Sequence, residues 1–256
     1  MALTQGQKQA YARDGFVLLP RLADEDALAR WSRRFEGLVL GRVAVPERMV
    51  VMKDVMVVKG AAVPPTPLHA VNKILGFEDD PVLWEFALHP PLLAAVRSLV
   101  GDALQAISSN VFNKPPGCDG RHPLHQDLRY FAIRPADKIV AAWTAIDATT
   151  RANGCLAVIP GSHRGPLHDH VLPDWEYVNS GFFAAEGVDE AQRVHVEMAP
   201  GDTLLFHPLL LHGSGRNRSG GFRRAISVHY ASQDCERPDV PRKRQPMTKP
   251  IPPPTR

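Results

Sequence analysis

Cysteine is scarce in this chain of 256 residues. Cys118, Cys155 and Cys235 are odd in number, lie far apart and form no Cys-x-x-Cys pair. That argues against a zinc knuckle or a disulfide framework and points to a reducing compartment. No apolar run is long enough to cross a bilayer, so membrane insertion is not expected. The richest run, residues 49–58, is broken by Lys53 and Asp54. The first residues lack the basic-then-apolar pattern of a secretory signal. The last four, Pro-Pro-Thr-Arg, are not the Ser-Lys-Leu peroxisomal address. An excess of one charge is also missing. The net charge is +3 and the basic residues are spread along the chain, so nucleic acid is not an expected partner.

Proline is abundant, at 24 residues, which suits a loop-rich β architecture better than a helical bundle. Thr4-Gln5-Gly6-Gln7 reads as a capping box opening a helix that Gly15 ends. Residues 16–19 form a short apolar strand. Asp24 caps a second helix, on which Leu28, Trp31, Phe35 and Leu38 fall on one face as core. Residues 49–58 read as a strand or a strand pair. Asp80-Pro81 opens a helix to about residue 88, and residues 90–100 form another that Gly101 stops. Beyond it, apolar segments alternate with turn signals at 103–112, 124–133, 139–148, 155–159, 193–198, 203–206, 209–213 and 224–231. About eight strands after a helical prologue predict a mainly β fold with flanking helices, a double-sheet jelly roll. The expected division is one domain over 1–235, with the prologue over 1–101 and the core over 102–235. The Pro-rich basic stretch 236–256 is expected to be disordered.

The stretch His122–Phe131, HPLHQDLRYF, contains His125-x-Asp127. In a strand, residues i and i+2 share a face, so this imidazole and this carboxylate converge. With a second His they would form a 2-His-1-carboxylate facial triad, which holds iron(II) and keeps positions open. The pair alone is a weak signal, equally read as a surface His and Asp. The segment 201–215 ends in His212 at a glycine-rich strand terminus and could supply the distal ligand. His207 competes, although it precedes Pro208 at a bend. His168-Asp169-His170 competes too, although it lies in a polar loop. Arg223, eleven residues after His212, begins an apolar strand; inside a barrel it would require a carboxylate partner. Asn153-Gly154 and Pro160-Gly161-Ser162-His163 mark tight turns around one strand.

Taken together, His125-x-Asp127, His212, Arg223 and the NGCL…PGSH hairpin resemble the phytanoyl-CoA dioxygenase family. NKPP (113–116), RHPLHQDLRYF (121–131), IVAAWTAID (139–147) and FHPLLLHGSGRN (206–217) are similar to its motifs as well, and the resemblance runs from about residue 3 to 235. It implies a double-stranded β-helix of the cupin-like 2-oxoglutarate oxygenase type. It also implies a dioxygenase that uses iron(II), 2-oxoglutarate and O2, with ascorbate as an activity support. By resemblance, His125, Asp127 and His212 are the iron ligands, and Arg223 pairs with the distal carboxylate of 2-oxoglutarate. Lys73, Trp143 and Ser214 line the co-substrate pocket, and Asn110 stands at another lining position with a different residue type. Gln126 and Asn217 shape the site. The implied reaction is hydroxylation at C2 of a branched, phytanoyl-type fatty acyl-CoA in fatty acid alpha-oxidation, in the peroxisome. Three departures bear on compartment and acyl-CoA recognition: no N-terminal import signal is visible, a Pro-rich tail replaces the family's C-terminal segment, and the 116–122 loop is shorter. The alternatives are the same chemistry on another small molecule, or a non-catalytic jelly-roll binding protein that keeps the triad.

Overall fold

The computed structural model describes residues 2–237 and 248–254. Thr4 and Gln7 exchange side-chain and backbone hydrogen bonds at 3.2 and 2.9 Å, which opens α1 (Gln5–Asp14). Gly15, at φ 84°, ends it in the left-handed conformation that glycine adopts without strain. β1 (Phe16–Leu19) follows, and then α2 (Glu25–Val39), capped by Asp24. The stripe of Leu28, Trp31, Phe35 and Leu38 is buried as its spacing dictates. The run expected as a strand or a strand pair divides into a strand and a short helix. β2 (Val50–Lys53) stops where the Asp54 side chain accepts the Met56 N–H and starts α3 (Val55–Val58). Next come α4 (Pro67–Ala70), β3 (Val71–Leu75), α5 (Pro81–Ala87) and α6 (Pro90–Val100).

The jelly roll is built from β4 (Leu104–Lys114), β5 (His122–His125), β6 (Ile139–Ala145), β7 (Leu156–Val158), β8 (His170–Val171), β9 (Ala184–Ala185), β10 (Val194–Val196), β11 (Thr203–Phe206), β12 (His212–Ser214) and β13 (Arg223–Ser232). The major sheet runs β1-β11-β6-β13-β4-β3-β2, and the minor sheet runs β10-β7-β12-β5. β8 and β9 pair separately. β6 is buried throughout because both of its faces are covered. Val140 and Ala142 join the helices in the cluster of Trp31, Phe35 and Phe86, while Ala141, Trp143 and Ala145 turn to an inner cluster with Leu156 and Phe206. The helices thus cover the outer face of the major sheet, and the functional interior lies between the two sheets.

Two expectations need correction. The strand expected over 124–133 ends at His125. Gln126 stays extended, and Asp127–Tyr130 form a 3-10 turn anchored by the Leu128 N–H on Pro208 O at 2.9 Å. The tail was expected to be disordered over 236–256, yet β14 (Lys249–Pro250) pairs with β4 and Ile251 is 3 % exposed within the helix-side core. The rest of that expectation, at 238–247 and 255–256, lies outside the described residues. Among the described residues, no helix is long and apolar enough to cross a membrane.

Candidate active site

His125 and His212 are direct partners across the antiparallel β5–β12 ladder, with their rings 4.2 Å apart between centroids. The extended Gln126 brings Asp127 back to the same side, so the convergence expected of a strand survives although the strand ends. Asp127 Oδ1 is 3.3 Å from His125 Nε2, and Asp127 Oδ2 is 3.7 Å from His212 Nε2. One ligand atom from each of the three lies within 4.8 Å of the others, and all three residues are buried.

The hydrogen bonds fix the chemistry of these atoms. His125 Nδ1 faces Pro123 O at 2.8 Å, and His212 Nδ1 faces Leu210 O at 3.0 Å. A carbonyl oxygen only accepts, so each Nδ1 donates, which turns each Nε2 toward Asp127. Burial pushes the His212 imidazole down to about 4, so it is neutral at physiological pH. Burial would raise the Asp127 carboxyl, but His212, His229 and His125 outweigh it and hold Asp127 well below the usual carboxylate range. Two imidazoles and a carboxylate form a donor set that fits a divalent transition metal.

The competing histidines are otherwise engaged. His207 Nε2 binds Asp137 at 3.1 Å, and its Nδ1 accepts the Leu209 N–H. His170 Nε2 accepts the Gln126 N–H, and His168 Nδ1 binds Glu186 O. Gln126 ties three loops together: its amide donates to Pro166 O and Leu209 O, and its side-chain oxygen accepts the His168 N–H.

Beside the triad, Trp143, Ser214 and Arg223 line the same cavity. Arg223 is 2 % exposed; its Nη2 donates to Gly154 O at 3.0 Å, and its Nε has no partner. Gly154 permits this arrangement: its φ is 82°, and a side chain there would collide with Gly215 O. Lys73 is half-buried and is not among the residues that line the cavity; its Nζ lies 4.8 Å from the centre of the Phe182 ring, and burial pulls it down to about 8. Asn110 lies deeper along β4, where its amide donates to Ser108 Oγ; it is not among the residues that line the cavity.

Sequence reasoning missed Lys114 and His229. Lys114 is buried against Gly215 O and is held well below its ordinary pKa, first by burial and then by Arg223. Arg223 is itself pushed down to about 10 by burial. Among the described residues, no carboxylate forms an ion pair with either cation, so the interior is arranged for an anion that the chain does not supply. His229 Nε2 donates to Asp127 Oδ2 at 2.7 Å. The available signal was period-two alternation from Arg223 through Ala225 and Ser227 to His229.

The family model for phytanoyl-CoA dioxygenase (PhyH) matches residues 11–225. A probable phytanoyl-CoA dioxygenase of Caenorhabditis elegans is 44% identical over 240 residues, covering 91% of this chain and 76% of that protein. The peroxisomal phytanoyl-CoA dioxygenase of Mus musculus is 42% identical over 243 residues, covering 93% and 71%. Among solved structures, the epimerase SnoN in complex with Fe3+, alpha ketoglutarate and nogalamycin RO superposes with a TM-score of 0.69 at 21% identity, covering 98% of this chain and 95% of that one. That likeness establishes the shared fold.

Proposed function

This chain belongs to the phytanoyl-CoA dioxygenase family and is an iron- and 2-oxoglutarate-dependent dioxygenase, and from that premise we propose that it hydroxylates C2 of a branched fatty acyl-CoA. The observation that carries the site assignment is a buried, unpaired Arg223 in the same cavity as the His125, Asp127 and His212 triad. A dicarboxylic co-substrate supplies the missing anion. The names of the curated relatives support the acyl-CoA, and those of the mammalian relatives support a peroxisomal workplace.

In this reading, His125 and His212 offer their Nε2 atoms to iron(II), and Asp127 adds the single anionic ligand. Bound there, the metal supplies oxygen activation coupled to the oxidative decarboxylation of 2-oxoglutarate. Arg223 fixes the distal carboxylate with two parallel N–H donors, and Ser214 and Lys114 stand beside it. His229 holds the Oδ2 of Asp127, which leaves Oδ1 as the oxygen facing His125. Trp143, Leu156 and Phe206 wall the cavity with apolar surface and keep bulk water from the reacting centre. Lys73 and Asn110 do not line the cavity; Lys73 acts on Asp127 through its charge, and Asn110 packs within β4.

The test is consumption of 2-oxoglutarate with iron(II) and ascorbate across straight and branched acyl-CoAs and their free acids, with succinate and hydroxylated product identified by mass. Stoichiometric 2-hydroxyacyl-CoA from a branched thioester is the expected result. Turnover that no acyl-CoA stimulates overturns the substrate assignment and leaves a dioxygenase for another small molecule.

A further inference from the structure

Arg121, Arg151, Arg193, Arg216 and Arg218 are scattered along the sequence, but the fold gathers them around one cleft of about 540 Å³. The cleft lies over the outer side of β7 and β12, where Ala157 faces away from the cavity that Leu156 and His212 line. His122, Gly213 and Ser214 border both spaces, so a partition one strand thick separates the cleft from the triad.

These cations are only partly neutralised. The buried Asp119 is shared by Arg121 at 2.7 Å and Arg216 at 2.9 Å, and Arg193 meets Glu190 at 2.6 Å. Glu197 accepts the backbone N–H of Arg151 at 2.8 Å rather than its guanidinium. Among the described residues, no carboxylate forms an ion pair with the guanidinium of Arg151 or Arg218. Trp175 adds a half-buried indole, with the Arg121 guanidinium 4.0 Å from its ring centre. Guanidinium forks match phosphate oxygens, and an aromatic face accepts a nucleobase by stacking.

We propose that this cleft binds the phosphorylated adenine-nucleotide end of a CoA thioester, with the phosphates on Arg151, Arg218 and their neighbours and the purine against Trp175. This rests on the acyl-CoA reading above. It also resolves a physical difficulty of that reading. A polyphosphate cannot enter the dry interior without a large desolvation cost, whereas an outer cleft beside the partition keeps that charge in water. The acyl end alone then reaches the reacting centre.

The test is calorimetry on the full chain carrying iron(II) and 2-oxoglutarate without oxygen. CoA, adenosine 3′,5′-bisphosphate, pantetheine and inorganic phosphate are titrated into the wild type, an Arg151→Glu/Arg218→Glu double variant, and Trp175→Leu. CoA and the bisphosphate should bind, and added salt should weaken both. The double variant should weaken CoA by about tenfold, and Trp175→Leu should weaken CoA more than phosphate. In steady-state assays, the double variant should erase most of the KM advantage of an acyl-CoA over the matching acyl-pantetheine. CoA affinity equal in all three proteins overturns the cleft, even if acyl-CoA is hydroxylated. Inorganic phosphate competing as well as the bisphosphate overturns nucleotide recognition. CoA binding that the double variant loses, in an enzyme that hydroxylates no acyl-CoA, upholds the cleft and removes the hydroxylation reading instead.

Discussion

Replacing Arg223 by Gln isolates the anchor proposed for the co-substrate. The side chain is 2 % exposed, donates to Gly154 O and lies with its charge 5.4 Å from the Trp143 ring centre. Gln keeps one donor and loses the permanent charge. Losing one member of a desolvated, charge-assisted pair costs on the order of 2–5 kcal/mol. At about 1.4 kcal/mol per factor of ten, the KM for 2-oxoglutarate should rise roughly ten- to a thousandfold. Iron(II) affinity without co-substrate should hardly move, because Arg223 donates to none of the triad. Stability supplies an independent measurement. Without ligand, Arg223 is a buried cation that burial already pushes toward neutrality, so removing its charge should cost the fold little. Added at about a hundred times its Kd, 2-oxoglutarate should stabilise the wild type by about 2.7 kcal/mol. If Kd rises in step with KM, the variant should lose from about half to nearly all of that gain at the same concentration. An unchanged KM, or an equal loss for shorter 2-oxoacids that lack the distal carboxylate, would refute the assignment and make Arg223 a structural residue.

Other expectations follow from named contacts. His229→Gln removes the well-placed donor to Asp127 Oδ2, and iron(II) affinity measured by competition with a chelator should fall about 10–100-fold; an unchanged affinity would show that Asp127 is oriented by its backbone alone. Lys73 has a folded-state pKa of about 8 against 10.5 when exposed, so the unfolded chain binds the proton more tightly and ligand-free stability should rise with pH across that interval. Lys73→Met should flatten the rise in urea unfolding series run above and below about pH 8, and parallel curves would place its cause elsewhere. Ile251→Ala should lower the unfolding free energy by about 2–4 kcal/mol, since the side chain is buried beside the β4–β14 pairing; a loss below about 0.5 kcal/mol would show that the segment contributes nothing to the core.

Much of this was legible in short-range spacing. The two-residue step from His125 to Asp127 sets convergence whether or not the strand continues, and the capping residues Thr4, Asp24 and Asp80 fix helix starts locally. What could not be read depends on pairing between distant strands. His229 reaches Asp127 across 102 residues of sequence. Lys114 reads as an ordinary surface lysine until β4 carries it inside. The arginines looked dispersed because their gathering depends on how β5, β7, β10 and β12 assemble. β14 escaped notice because a single isoleucine among prolines has no periodicity, and its partner strand lies more than a hundred residues earlier.

The cross-strand pairing of His125 with His212 has a consequence for biogenesis. A slip of one residue between β5 and β12 would turn one imidazole to the opposite face, because side chains alternate along a strand. Gly213 narrows the choice further, since a Cβ there would come within 2.7 Å of His122 O and force the neighbouring strand aside. Only the correctly registered ladder brings both Nε2 atoms to one point. Metal uptake by freshly refolded chains would therefore report the fraction that assembled in register, and a metal-affinity step would sort the faithful barrels from their misaligned siblings.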